Sequence, residues 1–361
     1  MDYAFSTTDD PRPPAPDPAR GLDLRHVRSH PDHWYPLAWS NELKPGAVLA
    51  SNFAGEPIVL IRPKEGAVYA LEDRCAHRQV PLSKGSVDGQ SVRCCYHGWA
   101  YGRSGKCVDV PYLGKDKLPN GVRAYPCRER SGLILVFPGD PALADSVPLP
   151  SFAAADDDAY KTRRFGRVVR CHYSFMHENL MDMNHQFMHA KQMGQIRPRF
   201  LGQDQGEDWI EARYSFARTS GKQPLGEALI FGERRGTEKK NADRDVMTIR
   251  TEYPYQTLRI RTSSSEPVMD LWIGYTPMDA AQKTNRTFGL LSVRKPKIPG
   301  LLQAAWPLLV LFTERIFRED RDIVEMEQAA HDAQGGDRNQ EVFPVIRNLR
   351  SLLMERGLKA S

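Results

Sequence analysis

Two short segments that each carry a cysteine and a histidine constrain this sequence more than any other feature. Cys75-Ala76-His77 is followed, after sixteen residues, by Cys94-Cys95-Tyr96-His97, which gives the pattern C-x-H…C-x-x-H. Glycines lie near both segments, as expected for tight loops. Each loop offers one thiolate and one imidazole, so the sequence predicts a metal centre made jointly by the two loops.

Two kinds of metal centre fit this donor set. A tetrahedral zinc ion accepts thiolate and imidazole ligands, but zinc fingers usually place two cysteines in one loop and two histidines in the other. A Rieske [2Fe–2S] cluster binds both cysteines to one iron and both histidines to the other. The mixed loops make the zinc interpretation awkward, although the spacing alone does not decide between the two.

The residues around the two loops closely resemble the Rieske loops of ring-hydroxylating oxygenases. The matching residues, within about residues 34 to 140, are His77-Arg78, Pro81-Leu82-Ser83, Gly85-Ser86-Val87, Tyr96-His97-Gly98-Trp99 and Gly105-Lys106-Cys107. The resemblance implies that one [2Fe–2S] cluster is bound by Cys75, His77, Cys94 and His97. Imidazole ligands raise the potential of such a cluster above that of plant-type ferredoxins.

The other cysteines are predicted to be structural. Cys95 stands where the family usually has proline, and we expect a small buried residue there. Respiratory-type Rieske proteins have a disulfide that needs a cysteine three residues after the first histidine. Val80 occupies that position, so no disulfide is expected. Cys107, Cys127 and Cys171 are predicted to be thiols of the core.

A second set of metal-binding residue types lies in the segment Phe175–Met193, whose composition predicts a helix. On one helix, positions 182, 185 and 189 fall within a sector of roughly 60°, because each residue turns about 100°. His185 and His189 can therefore reach one metal. Two histidines and a carboxylate suit non-haem Fe(II) and O₂ activation. In isolation such a histidine pair is more often an ordinary part of the core or surface.

The family resemblance extends to this segment and to a carboxylate far downstream. The motif Asn-x-x-Asp-x-x-His…His is matched by Asn179, Asp182, His185 and His189. Three residues separate the two histidines, whereas four are commoner in the family, and the alternatives for the second histidine ligand are His172 and His177. The segment Phe317–Glu325 resembles the family's third-ligand segment, with Asp320 at the ligand position and Glu319 or Asp322 as alternatives.

The resemblance gives Asp182 a role other than binding iron. It implies that Asp182 lies between His185 and His97 of the partner subunit, in a head-to-tail homotrimer. A buried carboxylate bonded to both imidazoles would orient them and offer a route for electrons.

The chain is predicted to be an α+β protein in four parts. Residues 1–22 are a proline-rich disordered tail, residues 33–140 an antiparallel β Rieske domain, residues 141–160 a linker and residues 161–361 a catalytic domain. Ordered structure is expected to begin near His33. In the catalytic domain strands are expected between residues 245 and 294, and helices over Pro299–Ala330 and Phe343–Leu358. The resemblance implies a helix-grip (START-like) domain with an antiparallel sheet.

Charge and hydropathy exclude some classes of partner. The 50 Lys and Arg against 45 Asp and Glu leave a net charge of +5, which does not indicate nucleic-acid binding. An apolar run long enough for a membrane helix is absent, and the first residues lack the features of a secretory signal. The sequence therefore predicts a cytoplasmic protein.

The resemblance implies a terminal oxygenase, an oxidoreductase that hydroxylates or demethylates a largely apolar, cyclic or aromatic small molecule. It would use O₂ and electrons from a separate NAD(P)H-dependent reductase or a ferredoxin, since the chain has no Gly-x-Gly-x-x-Gly. The single chain resembles homomeric monooxygenases and O-demethylases more than two-subunit dioxygenases. The alternatives are an aromatic cis-dihydroxylating dioxygenase, a Rieske electron carrier with an inactive second domain, and a zinc-dependent binding module.

The substrate pocket is expected between the second-domain sheet and the helices around residues 176–201 and 300–320. Apolar candidates for its wall, each equally consistent with ordinary core, are Leu201, Leu229, Phe231, Trp272 and Phe288.

Overall fold

A computed structural model describes residues 23–111, 113, 121–193, 195–220, 246–262, 266–296 and 298–359. The tail predicted for residues 1–22 lies outside them. The described chain forms a β-rich part with the Cys/His loops and a second part in which a large sheet packs against helices. This arrangement confirms the predicted α+β class.

Short antiparallel strands make up the first part. In chain order the strands up to residue 136 are β1 (Val27–Arg28), β2 (Tyr35–Trp39), β3 (Ala47–Phe53), β4 (Glu56–Arg62), β5 (Tyr69–Glu72), β6 (Ser86–Asp88), β7 (Ser91–Arg93), β8 (Ala100–Tyr101), β9 (Cys107–Asp109), β10 (Ala124–Tyr125), β11 (Cys127–Arg130) and β12 (Leu133–Val136). β2 to β12 form three sheets, with strand orders β10-β5-β4-β3, β11-β12-β2 and β6-β7-β8-β9, whereas β1 pairs with the last strand of the described chain, in the second part. Successive side chains of β4 point to opposite faces. Ile58 and Leu60 therefore enter one core cluster, and Val59 and Ile61 enter another.

One large antiparallel sheet dominates the second part. Its strands are β13 (Tyr160–Phe165), β14 (Val168–Val169), β15 (Gln195–Gln205), β16 (Trp209–Ser220), β17 (Val246–Glu252), β18 (Tyr255–Arg261), β19 (Met269–Pro277) and β20 (Asn285–Arg294). The order is β13-β20-β19-β18-β17-β16-β15, with β14 also paired to β20. The helices are α1 (Tyr173–Met181), α2 (Ala190–Met193), α3 (Leu301–Gln334) and α4 (Pro344–Arg356), and β21 (Leu358–Lys359) follows. Among the helices that the structure describes, none has both the length and the apolarity needed to cross a bilayer.

The long helix α3 packs against this sheet and carries Asp320. Its buried side chains recur at helical spacing along one face and include Leu302, Ala305, Leu309, Thr313 and Val324. The helix ends at Gly335, whose φ of 71° is left-handed and whose N–H bonds to the carbonyl oxygens of His331 and Asp332. The helices predicted over Pro299–Ala330 and Phe343–Leu358 are thus confirmed, with slightly shifted ends.

The single helix predicted over Phe175–Met193 is wrong. At Asp182 the backbone is extended, with φ −89° and ψ 93°, and α1 ends there. The Asp182 side chain then caps a 3-10 helix, Met183–Phe187, by accepting a hydrogen bond from the Asn184 N–H. Asp182 competes with the backbone hydrogen bonds that would continue the helix, so positions 182, 185 and 189 do not share one helix face.

An aromatic cluster joins the two parts. Its largest members are Trp34, Phe137, Phe152, Trp272 and Phe288, of which Phe152 comes from the predicted linker. Trp272 and Phe288 face away from α3 and pack against the first part. These two residues are therefore interdomain core.

Residues before His33 also have defined structure, contrary to the sequence-based expectation. A 3-10 helix spans Leu24–His26, and β1 pairs with β21 so that Val27 lies opposite Lys359. The buried Arg25 forms an ion pair of 2.9 Å with Glu178 of α1. The chain therefore begins its described course in the second part, leaves it to form the first part and then returns.

Candidate metal centres

The two Cys/His loops have nearly the same backbone hydrogen bonds. In the first loop, Cys75 N–H donates to Val80 O (2.9 Å) and Gln79 N–H donates to Cys75 O (2.9 Å). In the second loop, Cys94 N–H donates to the carbonyl five residues on (2.8 Å), and Gly98 N–H donates to Cys94 O (3.2 Å). The residue four positions after each cysteine has a positive φ, 61° at Gln79 and 72° at Gly98. Each loop is therefore held closed by its own backbone hydrogen bonds.

This closure brings the four donor side chains together. Cys75 and Cys94 are buried and interact with each other, and the rings of His77 and His97 lie 4.5 Å apart. His77 stacks on Trp99, and its Nδ1 is buried with no hydrogen-bond partner among the described residues. A buried nitrogen without a partner beside two thiols fits a metal-cluster ligand.

Hydrogen-bond donors surround the sulfur atoms. Burial raises the pKa of the Cys94 thiol, while backbone hydrogen bonds from Tyr96 and His97 act in the opposite direction. The Tyr101 hydroxyl accepts a hydrogen bond from Ala76 N–H at 3.0 Å and lies 3.2 Å from Cys75 Sγ. Donors of this kind stabilise thiolate ligands.

All six cysteines are described, and all are free thiols. Cys95 is exposed, so the expectation of a buried residue was wrong: its side chain points out of the second loop, while Cys94 points in. Cys107 and Cys171 are buried and Cys127 is half-buried, as expected of core thiols.

The second candidate centre joins His185, His189 and Asp320. Their ligand atoms all lie within 4.8 Å of one another. Asp320 Oδ1 is 3.2 Å from His189 Nε2 and 3.8 Å from His185 Nε2, and the two imidazole rings are nearly perpendicular. His185 lies on the 3-10 helix, and His189 lies in the turn that leads into α2. The two histidines thus reach one site although the helix is broken between them.

Each histidine of this group is held at its other ring nitrogen. His185 Nδ1–H donates to the backbone oxygen of Asp182, and His189 Nδ1–H donates to Glu319 Oε2 at 2.7 Å. A carbonyl only accepts, so His185 Nδ1 carries the proton. His189 has a carboxylate at each ring nitrogen, and the shorter contact, to Glu319, favours the proton on Nδ1 in the neutral ring. In neutral imidazoles this leaves both Nε2 lone pairs facing Asp320.

Opposite effects act on the two imidazoles. Burial lowers the pKa of His189, but hydrogen bonds to Asp320 and Glu319 and their charges outweigh it, so the net shift is upward. For His185, burial outweighs the charge of Asp320, and its pKa is lowered. A cation bound by His185 Nε2, His189 Nε2 and Asp320 Oδ1 would replace the proton that His189 takes up when no cation is bound.

The structure places the alternative ligands outside this group. His177 is fully buried between the rings of Tyr173 and Tyr275, and His172 caps α1. Asp322 bonds to Arg321 at the surface of α3. Glu319 contacts His189 on the side opposite Asp320.

Asp182 connects to His185 through its backbone rather than its carboxylate. The carboxylate is half-buried, and its Oδ1 accepts hydrogen bonds from the Asn184 N–H (2.9 Å) and side-chain amide (2.7 Å). The buried carboxylate bonded to His185 that the resemblance implied is therefore not formed within this chain.

A cavity of about 310 Å³ adjoins Asp320. Apolar side chains dominate its wall, and among them are Phe165, Met176, Leu180, Ile273 and Phe317. Asn179 lines it from the last turn of α1. Arg163 and Arg167 also line it, and both pair with Glu314.

The sequence-predicted wall residues are not the ones that line this cavity. Trp272 and Phe288 belong to the interdomain cluster, and Leu201 is exposed on β15. Leu229 and Phe231 lie outside the described residues. The alternating pattern of β13 and the helical spacing of α3 place Phe165 and Phe317 on faces that can be buried. Only the packing of β13 against α3 shows that the two rings stack.

Comparison with known families matches both parts of the chain. Residues 33–126 match the Rieske [2Fe-2S] domain, and residues 169–345 match the vanillate O-demethylase oxygenase C-terminal domain. The chain is 29% identical to a 4beta-methylsterol monooxygenase of Methylococcus capsulatus, over 94% of this chain and 92% of that protein. It is 40% identical to the dicamba O-demethylase oxygenase component of Stenotrophomonas maltophilia, over 43% of this chain and 46% of that protein.

The fold is also found among solved structures. Dicamba monooxygenase bound to dicamba superposes with a TM-score of 0.71 at 23% identity, over 92% of this chain and 98% of that one. With both parts matched in order, the chain belongs to the Rieske-type oxygenases, oxidoreductases that contain a [2Fe–2S] cluster and a mononuclear Fe(II) and incorporate oxygen from O₂.

Proposed function

We propose that this chain is a terminal oxygenase that hydroxylates or demethylates a largely apolar, cyclic or aromatic small molecule. In this proposal Cys75, His77, Cys94 and His97 bind the [2Fe–2S] cluster. His185, His189 and Asp320 bind the mononuclear iron. The observation that carries the proposal is the approach of the latter three side chains to within 4.8 Å beside a mainly apolar cavity.

The chemistry divides between the bound metals and the chain. When bound, the cluster supplies electrons singly, and the mononuclear iron supplies a site for O₂. Two imidazoles and one carboxylate of the chain would hold that iron and would leave coordination positions open. Its apolar cavity orients a ring compound next to those positions and excludes water.

The cavity also has charged groups that suit a substituent on such a ring. Arg163 and Arg167 share the single carboxylate of Glu314, so the positive charge at this wall is only partly compensated. A guanidinium binds a carboxylate or sulfonate with charge-assisted hydrogen bonds. Relatives of this chain are named for dicamba and for toluene-4-sulfonate, and we propose an acidic ring compound here as well.

Electron delivery is proposed to need other chains. A separate reductase or ferredoxin reduces the cluster, and Asp182 links the His185 of one subunit to His97 of the partner subunit in a homotrimer. The exposed position of His97 and the half-buried Asp182 carboxylate support this arrangement, because both side chains are accessible to another subunit. The cytoplasmic location predicted from the sequence stays part of the proposal.

Metal analysis of anaerobically purified protein tests the proposal. We expect about three iron atoms per chain and the EPR signal of a reduced Rieske cluster, since a cluster holds two irons and the second site one. His189→Ala should leave the cluster signal intact and lower the iron content to about two. Two irons in the unchanged protein, even after Fe(II) reconstitution, would refute the mononuclear site. Product analysis with a surrogate reductase and ¹⁸O₂ then tests oxygen incorporation into acidic ring compounds.

A further inference from the structure

Glu319 and Asp320 are consecutive residues of α3, and their carboxylates contact opposite sides of one imidazole. Asp320 Oδ1 is 3.2 Å from His189 Nε2, and Glu319 Oε2 is 2.7 Å from His189 Nδ1. We propose that Glu319 is a positioning residue, which fixes the tautomer and ring orientation of His189 for the mononuclear iron. The inference rests on the proposed function, because it takes His189 as an iron ligand.

The geometry distinguishes positioning from ligation. The two nitrogens of an imidazole point away from each other, so a metal at Nε2 cannot also be reached by a group bonded to Nδ1. His185 Nε2 lies on the Asp320 side, together with His189 Nε2. The group of mutually close ligand atoms accordingly contains Asp320 and not Glu319.

The surroundings of Glu319 hold it in place. Gln192 of α2 donates from Nε2 to the other carboxylate oxygen, Glu319 Oε1, at 3.4 Å. His189 itself is 1% exposed, so water offers little competition for its Nδ1–H. The Gln192–Glu319–His189 contacts thereby tie the turn before α2 to α3 and prevent the ring from turning its carbon edge to the metal.

His185 has the corresponding restraint from the backbone. Its Nδ1–H donates to the carbonyl oxygen of Asp182, which no side-chain substitution removes. Only the His189 orientation depends on a replaceable side chain. Partners of this kind typically contribute about 10–100-fold to metal affinity.

The test measures Fe(II) binding to the holoenzyme without turnover. The mononuclear iron is removed with a chelator, the cluster absorbance is verified, and Fe(II) affinity is determined anaerobically against a competing chelator. Glu319→Ala should weaken Fe(II) binding about 10–100-fold. Glu319→Gln retains an oxygen acceptor at the same reach and should restore affinity to within about threefold of the unchanged protein. Asp322→Ala, three residues after Glu319 on the same helix and paired only with Arg321 in the described contacts, is the matched control and should not change affinity.

Three outcomes would overturn the inference. Glu319→Ala with unchanged affinity would remove the positioning role. Equal loss in Glu319→Gln and Glu319→Ala would show that charge alone matters. Loss of all Fe(II) binding in Glu319→Ala, with binding retained in Asp320→Ala, would make Glu319 the ligand. If Glu319→Ala loses its cluster, Glu319→Met provides a side chain of similar length without an acceptor. Failure of the proposed function would look different, because the unchanged protein would then bind no third iron.

Discussion

The Tyr101 hydroxyl lies 3.2 Å from Cys75 Sγ and accepts a hydrogen bond from the Ala76 N–H. A cysteine sulfur bound to a cluster has no hydrogen to donate, so Tyr101 would be the donor in the contact with it. A hydrogen bond to a cluster sulfur stabilises the reduced, more negative state and raises the reduction potential. This contact makes the potential of the cluster a property of the tyrosine as well as of the four ligands.

Tyr101→Phe is therefore expected to lower the potential of the cluster. A hydrogen bond worth about 1 kcal/mol corresponds to about 40 mV for a one-electron couple. The measurement is a redox titration followed by EPR. Tyr69→Phe is the control, because that hydroxyl bonds to Gln90 O in the same domain and does not contact the sulfurs. Equal potentials in the two variants would contradict the role of Tyr101.

Asp182→Asn should retain both metal centres and slow electron transfer between them. Asparagine keeps the oxygen that caps the 3-10 helix, and the backbone carbonyl still holds His185, so the local fold is preserved. Loss of the carboxylate charge should slow reoxidation of the reduced cluster by about 10–100-fold. The measurement is single-turnover stopped-flow with substrate and O₂, alongside iron analysis. Turnover at the normal rate would exclude Asp182 from the electron route.

Acid should destabilise the protein through His172 and His177. Burial lowers the pKa of each to about 3, so the folded protein keeps them neutral while the unfolded chain takes up protons below about pH 6.5. The free energy of unfolding is therefore highest above that pH and decreases as the pH falls. The loss is about 2 kcal/mol per histidine between about pH 8 and about pH 5. Thermal denaturation over this range should show a weaker pH dependence in His177→Leu, and equal slopes would contradict it.

Arg167→Met should weaken the binding of acidic ring compounds. Removing one charge-assisted contact costs about 1.5–3 kcal/mol, or roughly 10–100-fold in the dissociation constant of a carboxylate ligand. The measurement compares a methoxybenzoate with its methyl ester by calorimetry. The ester, which carries no charge, should bind the variant and the unchanged protein equally. Equal weakening of both compounds would show that Arg167 acts through the shape of the cavity.

The sequence was sufficient where the relevant residues lie close together in the chain. Cys75, His77, Cys94 and His97 occupy two loops whose hydrogen bonds are local, so spacing and flanking residues predicted their convergence. The strands between residues 245 and 294 and the helix α3 were predicted, whereas β15 and β16 were not, and the helix-grip arrangement came from the resemblance. Asp320 came from resemblance, and the fold brings it to the two histidines as that resemblance implied.

Long-range packing and competition with local hydrogen bonds account for the errors. Composition favoured a helix through Asp182, but the carboxylate caps the next turn instead. The sequence is equally consistent with Trp272 and Phe288 in the pocket wall or in the core. Their contacts with the first part show that they belong to the core. The sequence offers Glu319 only as an alternative iron ligand to Asp320. Its contact with His189 could not be predicted, because 130 positions of the chain separate the two residues.

The pairing of β1 with β21 also bears on the order in which the molecule is assembled during synthesis. Strands β2 to β12 are complete once the ribosome has passed Val136, and domains generally fold as units from the N-terminal side. The strand of Val27 can pair only after Lys359 has been synthesised, nearly the whole length of the chain later. The nascent protein can therefore present a complete cluster-binding fold while the catalytic half is still unclosed, which would allow the iron–sulfur cluster to be loaded before the mononuclear-iron site exists.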